Sequence, residues 1–193
     1  MMFSANPARG SRAVNAAVLL GVSLFLGLAL FRQFVQGEPA CPLCLLQRAA
    51  LVLAGAGLLL NLRLGPSPLH YGMTIAAALA GMAAAGRQML RHIAPDDPGH
   101  GALLGGLHFY TWTFMACAAL IAFCALMLCM DRKWGDSAIK RRVPAAGAAV
   151  MALFFLASLG SVGGAFAQCE GGACGMRAVG APDAPGQDGA HAG

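Results

Sequence analysis

The residues that bear on chemistry are Cys41-Pro42-Leu43-Cys44, a C-x-x-C pair able to close a small disulfide. Gly37-Glu38-Pro39 before it reads as a turn and the apolar run after it as a helix. Proline is well tolerated at the first helical position, so Cys41 falls near the N-cap and Cys44 within the first turn. Unpaired N–H groups and the positive end of the helix dipole favour a thiolate there, which makes a better nucleophile, leaving group and electron donor. Two blander readings fit the same residues: inert buried thiols, or half of a zinc site, for which no second C-x-x-C or nearby His completes a ligand set. Arg48 follows Cys44 by four positions and Cys41 by seven, so the three share a helical face. A guanidinium one turn inside a bilayer boundary is costly, and such charges usually face a protein interior or cavity. Arg48 is placed to stabilise a thiolate and to polarise a carbonyl oxygen on an electron acceptor, with snorkelling to the headgroups as the alternative. Gln47 points elsewhere on the helix and is given no role.

Composition sets the elements that must hold these residues. Of 193 residues, 58% are hydrophobic and 11% charged, and the mean hydropathy is +0.66. A soluble domain carries about a quarter charged residues, which excludes that class. The 26 glycines show no three-residue period and the chain is rich in apolar residues, so collagen-like structure and disorder are excluded as well. The seven cysteines are not the framework of a small secreted domain, because bilayer-buried segments already specify the architecture. The net charge of +5 comes from Lys and Arg spread between apolar runs, with no basic stripe interleaved with aromatics, so no nucleic-acid partner is expected.

A hydrocarbon core of about 30 Å needs about 20 apolar residues in helix. Five stretches meet that need: 13–31, 41–62, 70–88, 109–130 and 145–167. The third is the shortest in apolar content, and its Gly and Ala positions suit close helix packing in lipid. The expected fold is therefore all-α, an integral membrane helical bundle formed by residues 1–174 as one domain. Residues 175–193, rich in Gly, Ala, Pro and Asp, are expected to be a disordered tail. The first span is read as a retained helix, because its apolar run exceeds the usual signal-peptide core of about 7–15 residues and no A-x-A-like site follows.

Lys and Arg in the connections set the orientation. With the N-terminus inside, the cytoplasmic segments hold Arg9, Arg12, Arg63, Arg132, Lys133, Lys140, Arg141 and Arg142, the positive-inside pattern. The outer side receives Glu38, Asp96, Asp97, Glu170, Asp183 and Asp188. Cys41 and Cys44 then lie outside, and five crossings bring the chain after the fifth span to the same side.

The run Cys41-Pro42-Leu43-Cys44-Leu45-Leu46-Gln47-Arg48 opens the second span on its outer side, and the third span ends in Gly86-Arg87-Gln88. Together they resemble the DsbB family of bacterial disulfide bond formation proteins, over approximately residues 13 to 130. The resemblance implies a four-helix DsbB-like core, here with a fifth transmembrane helix, in the bacterial inner membrane. It implies a protein that reoxidises a periplasmic DsbA-like partner of thioredoxin fold and passes the electrons to ubiquinone or menaquinone in the membrane pool. By the same resemblance Cys44 faces the quinone, Cys41 is its disulfide partner and Arg48 is the quinone-side cation. Arg87, Gln88, Arg91 and His92 fall in the region that borders the quinone. The family often has a glutamine there, and the approximate alignment sets Arg91 opposite it, which makes Arg91 and His92 the candidates for the second quinone oxygen.

Family members usually carry a second cysteine pair in the second outer connection, whereas residues 91–108 hold none here. Cys169 and Cys174, just after the fifth span, are expected to replace it as the pair that exchanges with the partner, with a structural disulfide as the alternative. Cys117, Cys124 and Cys129 are expected to pack as small apolar residues. Phe109, Tyr110 and Trp112 are expected to form an interfacial belt. No metal site is expected; Cys174-Gly175-Met176 is only a weak copper-like feature. The expected activity is that of a protein-dithiol:quinone oxidoreductase. The competing classes are a membrane protein that handles metals through Cys, Met and His, and a scaffold whose cysteines merely lock helix ends.

Overall fold

A chain in lipid must bond its backbone within each spanning segment, so each apolar run becomes a helix. The computed structural model of the protein describes residues 7–38, 41–92, 103–131 and 143–168. These form α1 (Pro7–Phe34), α2 (Pro42–Leu64), α3 (Pro68–Arg91), α4 (Phe109–Asp131) and α5 (Ala145–Gln168). All five are long and apolar enough to cross a bilayer, with α3 the least apolar. No strand occurs among the described residues. Each expected span lies within one helix, apart from Cys41, which caps α2 from outside, and the all-α membrane bundle is what forms. Cys169, Cys174 and the tail 175–193 lie outside the described residues.

Local sequence fixes where the helices begin and end. α2 and α3 each start with a proline behind an extended N-cap residue, Cys41 and Ser67. Proline's fixed φ is pre-set for that position and its missing N–H is no loss there. α2 stops at Gly65, whose φ of 105° a residue with a side chain rarely adopts. Before α4, Leu104 and Leu107 exchange backbone hydrogen bonds around Gly105 and Gly106.

α2 is the hub. It packs on α1, α3 and α5 and touches α4, while α3 pairs with α4 and α1 with α5. Lipid tails are as apolar as leucine, so close approach at small residues does much of the work of holding such helices together. At Gly57 an added Cβ would lie 2.7 Å from the His70 carbonyl oxygen; at Gly81 it would lie 3.0 Å from Cys117 Sγ. The core between the helices contains Leu19 and Leu26 of α1, Leu51, Ala54 and Leu58 of α2, Ala78, Cys117 and Phe154. Leu24, Leu53, Leu79, Phe155 and Phe166 point outward and are exposed, as lipid-facing side chains would be.

The two ends of the bundle differ in chemistry. Where α1 begins, α2 ends and α3 begins, Asn15 donates to the Tyr71 hydroxyl (2.9 Å) and Asn61 donates to Asn15 Oδ1 (3.3 Å). Asn61 Oδ1 in turn accepts from the Ser67 backbone N–H (3.1 Å), tying the α2–α3 turn to the bundle. The opposite end, where α2 begins and α3 ends, carries the cysteine pair.

Candidate redox site

Cys41 caps α2 with its own sulfur, which accepts a hydrogen bond from the Cys44 backbone N–H at 3.2 Å. The C-x-x-C spacing with proline at the first helical position therefore produces the helix-start geometry expected of it. Both cysteines are in the thiol form and half-buried.

Gln88 of α3 meets them from across the helix interface. Its Nε2 donates to Cys41 Sγ at 3.4 Å and to Cys44 Sγ at 3.5 Å, while its Oε1 faces the Cys44 thiol at 3.8 Å. Gln47 holds this amide in place by donating to Gln88 Oε1 at 2.7 Å. Both glutamines are almost fully buried, at 2% and 3% exposure. A buried amide is retained only where its groups are bonded, and here the bonded groups are the two sulfurs. An N–H that reaches both sulfurs can follow negative charge from one to the other.

The two sulfurs are not equivalent. The hydrogen bond with Cys44 and then burial push the Cys41 thiol well above the ordinary thiol range, outweighing the Cys44 backbone N–H and Gln88, which act in the opposite direction.

Arg48 turns inward. It bonds Gln33 Oε1 of α1 through one terminal nitrogen and donates to the Ala29 carbonyl through the other, at 3.0 Å. This rules in the interior placement over snorkelling. Cys44, Gln47, Arg48 and Leu51 of α2, Gln33 of α1 and Gln88 of α3 line one cavity, which Phe25, Phe109 and Tyr110 also border. The cavity measures about 110 Å³. Phe25 and Phe109 stack at 4.8 Å, and the Arg32 guanidinium lies 5.6 Å over the Phe109 ring. Arg32 is also paired in bidentate fashion with Glu38, at 3.0 and 2.7 Å, which ties the end of α1 to the segment leading to Cys41.

Several expectations change. Gln47, given no role, is buried in the site: it points to α3 instead of along the Cys44–Arg48 face. Gln88, expected to border the quinone, lines the cavity, whereas Arg91 does not. Arg87 and Arg91 are exposed on α3 and do not line the cavity. Arg87 is one residue, about 100° of helix rotation, away from Gln88; Arg91 is the last residue of α3. His92 reaches the site only indirectly, stacking on Tyr110 at 6.0 Å. Phe109 and Tyr110 border the cavity instead of forming a belt with Trp112, whose indole donates to the Leu104 carbonyl at 2.9 Å. Cys117 and Cys124 are packed in the core as expected, and Cys129 is exposed on α4.

Comparison with known proteins places this geometry. Residues 11–101 match the family described as Disulfide bond formation protein DsbB. The chain is 32% identical over 114 residues to Disulfide bond formation protein B of Nitrosomonas eutropha, covering 52% of this chain and 68% of that protein. It is 41% identical over 86 residues to Disulfide bond formation protein B 1 of Pseudomonas savastanoi pv. phaseolicola, covering 42% of this chain and 50% of that one. The corresponding protein of Marinobacter nauticus is 38% identical over 91 residues, covering 45% and 54%. The chain thus spans about half the length of the latter two relatives. No solved structure matches it. A matched segment that contains the cysteine pair, both site glutamines and Arg48, set in a bundle of five membrane-crossing helices, means that the chain belongs to the DsbB family of disulfide bond formation membrane proteins.

Proposed function

We propose that the protein oxidises the thiols of a periplasmic DsbA-like partner and passes the electrons to ubiquinone or menaquinone in the bacterial inner membrane. One observation carries this reading: Cys44 opens onto the same cavity as the inward-turned Arg48 and three buried glutamines, while Cys41 does not line it. The division suits a pair in which one sulfur faces an acceptor and the other faces a partner. The cavity's aromatic and aliphatic walls with a few polar groups fit a planar carbonyl-bearing ring. Its volume of about 110 Å³ is below the roughly 150 Å³ of an apolar cavity that takes up benzene, so a quinone ring would enter only in part unless the lining side chains move.

When bound there, a quinone takes the two electrons and two protons released as the Cys41 and Cys44 thiols join in a disulfide. The chain's own residues prepare that step. Gln88 follows charge between the sulfurs, Gln47 fixes Gln88, and Arg48 supplies the cation toward which an acceptor oxygen would turn. Arg48 is suited to that role because it is held inward by Gln33 and Ala29 and cannot reach the headgroups without breaking both contacts.

The orientation proposed puts the Cys41 end of the bundle in the periplasm, as the Lys and Arg distribution favours. Cys169 follows directly on α5, whose Gly164 carbonyl accepts from Gln33 at that same end. This supports Cys169 and Cys174 as the pair that exchanges with the partner and is then reoxidised by Cys41–Cys44, by thiolate attack through a mixed disulfide.

The test is reconstitution of the purified protein with a reduced thioredoxin-fold dithiol protein and a short-chain ubiquinone. Quinone-dependent loss of the partner's thiols is expected, and it should vanish in Cys41→Ser and Cys44→Ser. Its absence from the unaltered protein would overturn the reading.

A further inference from the structure

Arg48 is held by a chain of contacts that begins on α5, a helix outside the matched segment 11–101. Gln33 of α1 is the middle link and is 6% exposed. Its Oε1 accepts from Arg48, and its Nε2 donates to the Gly164 carbonyl of α5 at 3.2 Å. An amide has one acceptor end and one donor end, so turning Gln33 over would set its NH2 against the guanidinium and its oxygen against a carbonyl. The α5 carbonyl therefore fixes which end faces Arg48.

Two further features point the same way. Gly164 is the position where a side chain on α5 would press on Gln33: an added Cβ would lie 3.1 Å from Gln33 Nε2, 3.3 Å from Gln33 Oε1 and 3.2 Å from the Phe34 ring. Its neighbour Gly163 has nothing within 4 Å, so the crowding against Gln33 belongs to Gly164; Gly160, one turn earlier, is crowded by Leu30 instead. Arg48 also borders a groove between α2 and the end of α5, shared with Ser161, Val162, Ala165 and Phe166. The last turns of a helix carry its negative dipole end, which favours a cation nearby.

We propose that α5 is a positioning element for Arg48: the Gly164 carbonyl sets the Gln33 amide, and the Gln33 amide aims the guanidinium into the cavity beside Cys44. Gln33 lines the cavity and Gly164 does not; in this proposal both act as positioning residues, through Arg48. The proposal rests on the quinone reading of the site for its catalytic consequence, while the positioning itself is a property of the protein alone.

The experiment compares the full chain with Gly164→Ala, Gln33→Met and the control Gly163→Ala, in detergent or vesicles. The first readout needs no turnover: the rate at which phenylglyoxal modifies Arg48, followed by mass spectrometry. Gly164→Ala and Gln33→Met should each raise it by about three- to tenfold, the value of about one net hydrogen bond, and Gly163→Ala should leave it unchanged. The second readout is the quinone KM, which should rise by a similar factor with little change in kcat. In an Arg48→Met background Gly164→Ala should add nothing, since residues in one chain of contacts are not additive. Unchanged Arg48 reactivity in folded Gly164→Ala protein, or a Gly164→Ala effect on KM that persists without Arg48, would overturn the proposal. An unaltered protein that reduces no quinone would sink the functional reading instead and leave the reactivity test standing.

Discussion

Gln88 Nε2 lies 3.4 Å from Cys41 Sγ and 3.5 Å from Cys44 Sγ, so one amide bridges both sulfurs of the pair. Replacing Gln88 by Leu removes that bridge and leaves Gln47 Nε2 without its acceptor. A buried polar group left unpaired costs about 1–3 kcal/mol, so thermal unfolding should come several degrees earlier. Quinone-dependent thiol oxidation should fall about tenfold or more, through kcat, because the amide acts on the sulfurs. Gln88→Glu, which sets a carboxylate beside the thiols, should be slower still. Steady-state kinetics on both variants, alongside melting curves, measure the two effects separately.

The Cys41 thiol should be slow toward alkylation. Cys44, as hydrogen-bond partner, is the foremost cause that holds the Cys41 thiol above the ordinary range, and the neutral thiol is the unreactive form. Raised pKa means that Cys41 stays protonated through neutral and mildly alkaline pH and gains reactivity only above that window. Cys44→Ala removes that cause, so the Cys41 pKa should fall and its reaction with iodoacetamide at pH 8 should accelerate several-fold. Peptide mass spectrometry of timed samples reads this directly.

Arginines separate by burial. Arg48→Met should raise the quinone KM by about tenfold or more, as expected for a charge-assisted hydrogen bond worth about 1.5–3 kcal/mol. Arg87→Ala and Arg91→Ala, both exposed on α3, should stay within about twofold of the unaltered protein, the range of surface substitutions. Parallel KM measurements on the three variants check the contrast.

At the far end of the bundle, Asn61 takes part in bonds to Asn15, the Ser67 backbone and His70. Asn61→Leu strands several of these groups at once and should lower stability by about 1–3 kcal/mol per buried group left unpaired. Turnover of the folded fraction should be unaffected, because the cysteines lie at the opposite end. Melting curves and activity normalised to folded protein distinguish the two.

The pair, its helix-start placement, Arg48 and all five helices were legible in the sequence, because each depends on local order: proline at the first helical position, a four-residue interval, an apolar run of sufficient length. Gln33, Gln47 and the Gln88 contact were not, because they depend on how helices face each other. Gln47 looks misdirected when α2 is viewed alone; it acquires its role only from the α3 face that small residues such as Gly57 and Gly81 let approach. Arg91, one helical turn beyond Gln88, does not line the cavity, and which of the two does depends on contacts between helices. Phe109 and Tyr110 misled for another reason: an amphipathic aromatic suits a membrane interface and a cavity wall equally well.

The most direct measurement is the anaerobic reaction of the fully reduced protein with a short-chain ubiquinone, following quinol formation by absorbance and sulfur linkage by mass spectrometry. With quinone in excess, two quinols should form per protein, leaving one Cys41–Cys44 and one Cys169–Cys174 disulfide, and Cys117, Cys124 and Cys129 should remain thiols throughout. Quinol formed while Cys41 and Cys44 stay reduced, or formed equally well by the Cys44→Ser variant, would contradict the account.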